Sequence, residues 1–137
     1  MPESKIPVPY KPLAVIAAGT IILAFAMWLA GHSYIAFWDT QTYIDAGGNI
    51  LRHGADAIRT PVYPLIVGLC RLLPGETAWV YALVILQLGA FVATVPVIWR
   101  VAARLMSARA ALLTTGAYAW CPTFVSYAMF VMPDIWC

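Results

Sequence analysis

Three long stretches of this chain contain no Asp, Glu, Lys or Arg: Leu13 to Ile35, Ala78 to Trp99, and Ala110 to Pro133. A helix needs roughly 20 apolar residues to cross a bilayer core, at about 1.5 Å of rise per residue. Each stretch is long enough. The sequence therefore predicts an all-α polytopic membrane protein with three transmembrane helices, at about 13–35, 78–99 and 110–133. Pro122 falls inside the third stretch and is expected to kink it. Membrane helices tolerate such a break where a neighbour satisfies the freed carbonyl. Trp28, Trp38, Trp79, Trp99, Trp120 and Trp136 fall mostly near the ends of the stretches, where amphipathic rings anchor at the membrane surface.

Composition agrees. The chain is 63% hydrophobic and 10% charged, with a mean hydropathy of +0.82. A soluble domain averages about 45–50% apolar and about 25% charged. The charged residues are too few to coat a globule, and intrinsic disorder is excluded by the same proportions. A net charge of +2 without a basic run argues against a nucleic-acid partner. Cys70, Cys121 and Cys137 form neither a disulfide framework nor a metal-ligand spacing. Cys70 and Cys121 lie in apolar runs and read as packing residues. A cleavable signal peptide competes for the first stretch, but its uncharged part exceeds the about 7–15 residues of a signal core. An uncleaved anchor is expected.

Orientation follows from the basic residues. Lys5 and Lys11 precede the first span, and Arg100, Arg104 and Arg109 fill the connection between the second and third. Those segments should face the cytoplasm, so the chain is placed in the cell membrane with its N-terminus inside. The loop from about 36 to 77 then lies outside, and Asp134 emerges on the same side. The chain closes on the still apolar Met132-Pro133-Asp134-Ile135-Trp136-Cys137. Three helices leave much unpaired face, so residues 1–137 are expected to be the N-terminal part of a longer transmembrane domain.

The outer loop carries the candidate chemistry. Tyr43, Ala46 or Gly47, and Ile50 recur at helical spacing, predicting a short amphipathic helix over Gln41 to Arg52 with a stop at His53-Gly54. Asp39 precedes it and has two readings. It is a helix cap, or it is a carboxylate at the membrane–water boundary acting as base or metal ligand. A further apolar run, Thr60 to Cys70, is too short to span and is interrupted by Pro61 and Pro64. It reads as a helix at the surface or re-entering the protein. Arg59, at its start, suits a phosphate held bidentately, or snorkels to lipid headgroups. Asp134, beside Pro133, is either solvated or part of a site. Tyr43 and Tyr63 read first as packing aromatics. Asp45, Asp56 and Glu76 read as solvated faces or caps, and His32 and His53 lack partners at ligand spacing.

The order of these features resembles the GT-C superfamily of membrane glycosyltransferases, in particular the aminoarabinose transferase and protein O-mannosyltransferase branch. That branch has an Asp-Glu-x-x-Tyr motif where the first helix exits. This chain has Asp39-Thr40-Gln41-Thr42-Tyr43, with Thr in place of Glu. The branch's Lys-Pro-Pro-like segment corresponds to Arg59-Thr60-Pro61, and Leu72-Leu73-Pro74-Gly75 fits the helix end that follows. Arg100 to Arg109 before Ala110-Ala111-Leu112-Leu113 looks like the cytoplasmic turn, and Met132-Pro133-Asp134 stands at the second acidic position with Pro where Thr is usual.

The resemblance implies a partial GT-C module with juxtamembrane helices in its first outer loop. It implies transfer of a sugar from a polyprenyl-phosphate donor to a lipid, glycan or protein acceptor outside the cytoplasm, among membrane lipids. By carry-over, Asp39 would be the catalytic carboxylate, deprotonating the acceptor hydroxyl or helping to hold a divalent metal ion where the branch uses one. Arg59 would stabilise the departing phosphate, Asp134 would be a second acidic member, and Tyr43 and Tyr63 would line the substrate cavity. The competing class is a non-catalytic membrane protein, a transporter segment or assembly subunit. A transporter places polar groups near mid-bilayer, whereas these spans hold only residues such as Gln87, Thr94, Thr114, Thr115 and Ser126. A lipid-phosphate phosphatase would need a dense Arg/Lys/His constellation that His32 and His53 do not supply.

Overall fold

A computed structural model of the chain describes residues 8–30, 38–54, 62–75 and 78–129. Among the described residues the fold is all-helical, without strands. The elements are α1 (Tyr10–Leu29), α2 (Trp38–His53), α3 (Val62–Cys70), α4 (Ala78–Leu105), α5 (Ala108–Ala119) and α6 (Pro122–Met129).

Helices α1 and α4 are long and apolar enough to cross a membrane. Only 22% of the most apolar window of α1 and 28% of that of α4 is buried. The residues left outside are themselves apolar, among them Val15, Ile22, Phe25, Ile85, Val97 and Val101. A helix hydrophobic on every side belongs in a core or in lipid, and here the surroundings are not supplied by the fold. Helix α1 opens at Pro9 and carries Pro12 in its first turn, where the missing N–H has no helical acceptor to lose.

Helix α4 is longer than the 78–99 stretch. It continues through Pro96, Arg100 and Arg104 to Leu105. The connection to α5 is therefore only Met106-Ser107, and the arginines expected in a loop stand on helices. Ser107 caps α5, its Oγ accepting from the Ala110 N–H at 3.4 Å.

The third apolar stretch is not one helix. It divides into α5 and α6 at Trp120-Cys121, so a continuous third span is not what forms. Pro122 has no N–H, and the Cys121 N–H bonds the Tyr118 carbonyl instead, at 3.3 Å. The Ala119 carbonyl at this break accepts the Thr20 hydroxyl of α1 at 3.2 Å. The Trp120 Nε1–H donates to the Ile16 carbonyl at 3.0 Å. A Cβ on Gly19 would sit 2.5 Å from that Nε1, so only glycine lets the indole lie across α1. The kink is thus fastened to α1 by two side-chain hydrogen bonds, each worth about 0.6–2 kcal/mol in lipid.

Three apolar clusters stack along α4. Val80 and Leu83 meet Tyr63 and Val67 of α3 at its start. Phe91 meets Ala24 of α1 and Val125, Ala128 and Met129 of α6 in the middle. Val95, Trp99 and Ala102 meet Leu13 and Ile16 of α1 and Ala111 and Ala119 of α5 at its end. This order makes α1 and the α5–α6 segment run antiparallel to α4. It also sets the α2–α3 hairpin at the end of α4 opposite Arg100 and Arg104. Trp99, expected among the interfacial anchors, is instead 2% exposed in the third cluster. The reason is its register: positions 91, 95, 99 and 102 share the face of α4 that is turned inward.

Candidate functional site

The segment expected to carry the chemistry folds as a helical hairpin. Helix α2 starts at Trp38, earlier than Gln41, and ends at His53. Gly54 follows with φ +88°, a left-handed stop that favours glycine. Asp39 is consequently the second residue of the helix, inside its first turn and not the cap before it. The side chains of Trp38, Asp39 and Thr40 lie outside the described ones, as do Arg59 and Asp134 altogether.

Helix α3 occupies most of the predicted Thr60–Cys70 run, with Pro64 in its first turn. It meets α2 at a glycine crossing. A Cβ on Gly68 would stand 2.5 Å from the Gly47 carbonyl oxygen, and one on Gly47 would stand 2.9 Å from the Pro64 carbonyl oxygen. Both obstacles are backbone, so neither can swing aside. Gly68→Ala and Gly47→Ala are each expected to cost about 1–3 kcal/mol as overpacking. Thermal unfolding in detergent checks this, and an unchanged Tm would contradict the close crossing. Past the end of α3, Arg71 reaches back and donates from Nη1 to the Ile44 carbonyl of α2 at 3.1 Å.

Tyr43 of α2 and Tyr63 of α3 face each other edge to face, with ring centres 5.3 Å apart and planes at 83°. Tyr63 is 1% exposed and belongs to the cluster with Val67, Val80 and Leu83. The packing alternative of the sequence reading describes it. Tyr43 packs against the same cluster while only half-buried, so it has surface left for a ligand. Cys70 is a half-buried free thiol whose pKa burial pushes up.

A groove of about 750 Å³ runs along the hairpin, lined by Asp45, Gly48, Arg52, Gly68, Arg71 and Leu72 among others. Arg52 and Arg71 both fall in the loop from about 36 to 77, 19 positions apart. The crossing brings them to one groove, and no local pattern relates positions 52 and 71. Asp45 is engaged within α2, accepting from Gln41 Nε2 at 2.9 Å. A second groove of about 470 Å³, between α1 and α4, is lined almost wholly by apolar residues such as Leu13, Ala17, Val92 and Pro96, with Arg100 at its edge. It offers no reactive group. Among the described residues no three His, Cys, Asp or Glu gather to hold a metal ion.

Compared with protein-family models, with curated proteins and with solved structures, the chain shows no match.

Proposed function

We propose that the chain is the N-terminal part of a GT-C-like membrane glycosyltransferase, one that moves a sugar from a polyprenyl-phosphate donor to an acceptor on the non-cytoplasmic side. The observation that carries this reading is the placement of the α2–α3 hairpin. It bears Asp39, and it packs on Val80 and Leu83 of α4, at the end away from Arg100 and Arg104. Helix α6 runs toward that same end, and Asp134 follows its last residue by five positions. Both acidic residues would thus be delivered to one side.

In this reading Asp39 takes the proton of the acceptor hydroxyl as it attacks the anomeric carbon. Arg59 stabilises the charge growing on the departing polyprenyl phosphate. Asp134 orients the acceptor, and Tyr43 lines the approach with Tyr63 beneath it. A divalent ion, if the reaction uses one, would be held by Asp39 and Asp134.

The transporter alternative is less favoured by the buried hydroxyls. Thr115 bonds the Ala111 carbonyl at 2.7 Å and Thr20 bonds the Ala119 carbonyl. Thr20 ties α1 to the end of α5 and Thr115 bonds back within its own helix, so both hydroxyls are spent on backbone carbonyls.

The test is transfer by the full-length protein in vesicles supplied with radiolabelled polyprenyl-phosphate sugar. Release of polyprenyl phosphate with label in the acceptor is expected. A folded protein that leaves the donor intact, or impermeant-maleimide labelling of cysteines at 39 and 134 from opposite sides, overturns the proposal.

A further inference from the structure

Helix α3 is apolar on two opposite faces, and the fold covers only one. Tyr63, Pro64, Val67 and Gly68 are buried against α2 and α4. Val62, Leu65 and Leu69 recur at helical spacing on the other side, with Leu72 following in the turn past the helix end, and these four are 42–70% exposed. A short helix with this character does not stay in water without a cover.

The groove beside this stripe holds the complementary chemistry. Arg52 and Arg71 line it over the glycine floor of Gly48 and Gly68, with Leu51 and Leu72 alongside. The absence of side chains at Gly48 matters, because a Cβ there would stand 3.2 Å from Arg71 Nη1. Arg71 uses Nη1 on the Ile44 carbonyl. A guanidinium carries five N–H donors, so most of its fork is left for a ligand. Among the described residues Asp45 is the one carboxylate lining the groove. Two guanidiniums against one carboxylate leave a net positive groove with an apolar wall.

We infer that the α2–α3 hairpin is a bilayer-docking element, in which the outer stripe of α3 lies among acyl chains and the Arg52–Arg71 groove takes the phosphate of an anionic phospholipid. Level supports the lipid as the occupant. Helix α4 is 28 residues long, about 42 Å at 1.5 Å per residue against about 30 Å of hydrocarbon. Its ends therefore reach the headgroup layers, and α3 packs on its first turns, where chains meet phosphates. Charge supports it as well, since leucines flanked by arginines match a lipid whose chains adjoin an anionic head. The inference needs α4 to span but does not depend on the glycosyltransferase reading.

The experiment uses the full chain with Cys70, Cys121 and Cys137 changed to serine. A single bimane-labelled cysteine is placed by Leu69→Cys on the stripe or by Asn49→Cys beside the groove. The protein is reconstituted in vesicles containing equal fractions of brominated phosphatidylglycerol or brominated phosphatidylcholine. The probe at 69 should be quenched by both lipids. The probe at 49 should report about fivefold tighter binding of the anionic lipid, on the order of 1 kcal/mol from the net charge. Arg52→Gln should remove that preference while leaving quenching at 69 unchanged, and it does not touch the Arg71–Ile44 bond. Arg71→Gln added to it should do no more at 69. An unquenched probe at 69 means that something other than lipid covers the stripe. Equal binding of the two lipids at 49, a preference that survives Arg52→Gln, or its loss to millimolar inorganic phosphate would each overturn the inference.

Discussion

Changing Asp39 to asparagine in the full-length protein is expected to slow sugar transfer by about 10²–10⁴-fold, the usual contribution of a positioned general base. That corresponds to roughly 3–5 kcal/mol on the barrier. The structural role of Asp39 is much smaller. It stands in the first turn of α2, where a carboxylate gains about 0.3–1 kcal/mol from the helix dipole. Asparagine keeps the shape and loses only the charge. Expression, membrane insertion and thermal unfolding should therefore stay near those of the parent. Rates and melting read together separate the two roles. A normal rate with a lowered Tm would leave Asp39 as a helix-start residue and withdraw it from the chemistry.

The second large effect is expected at Trp99. It is enclosed by Leu13, Ile16, Val95 and Ala111 where α1, α4 and α5 meet. Trp99→Ala should cost about 3–5 kcal/mol, the range for emptying a buried aromatic site. Trp99→Phe should behave differently. The Trp99 Nε1–H is buried and has no hydrogen-bond partner among the described residues. An unpaired buried donor costs about 1–3 kcal/mol, so phenylalanine gives up volume and also removes that penalty. Its net effect should stay within about 1.5 kcal/mol, near the cost of a modest volume change. Denaturant unfolding of the three proteins in the same detergent provides the comparison. Equal stability of the alanine variant and the parent would put Trp99 on the lipid-facing side, where the aromatic-belt reading first placed it.

Much of the hairpin was legible from residue order. His53-Gly54 marked the end of α2, because a residue that tolerates left-handed backbone after a helical repeat is a stop written in local chemistry. Pro122 marked the break between α5 and α6 for the same kind of reason, a missing donor. The depth of that break was not legible. It depends on Thr20 of α1 reaching Ala119 and on Trp120 reaching Ile16 of α1, pairs 99 and 104 positions apart in sequence. The start of α2 was misplaced by three residues, because Trp38-Asp39-Thr40 has no breaker before it. The candidate site was legible as a segment and not as a groove. Asp39 and Tyr43 stood out by motif, whereas Arg52 and Arg71 became neighbours only through the Gly47–Gly68 crossing.

Residue order alone pointed to the helical class and to three apolar stretches, of which the first and second form helices long enough for a bilayer, and it marked the stops at Gly54 and Pro122. Each of these follows from the transfer cost of charge or from backbone chemistry within one turn. Which faces meet was settled by packing. The apolar residues of α1 and α4 lie on all sides, so nothing in their periodicity distinguishes the face turned to a neighbour from the face turned outward. Small residues made that choice, because Gly19, Gly47, Gly68, Ala111 and Ala119 are where another chain segment can come close enough to bond or pack.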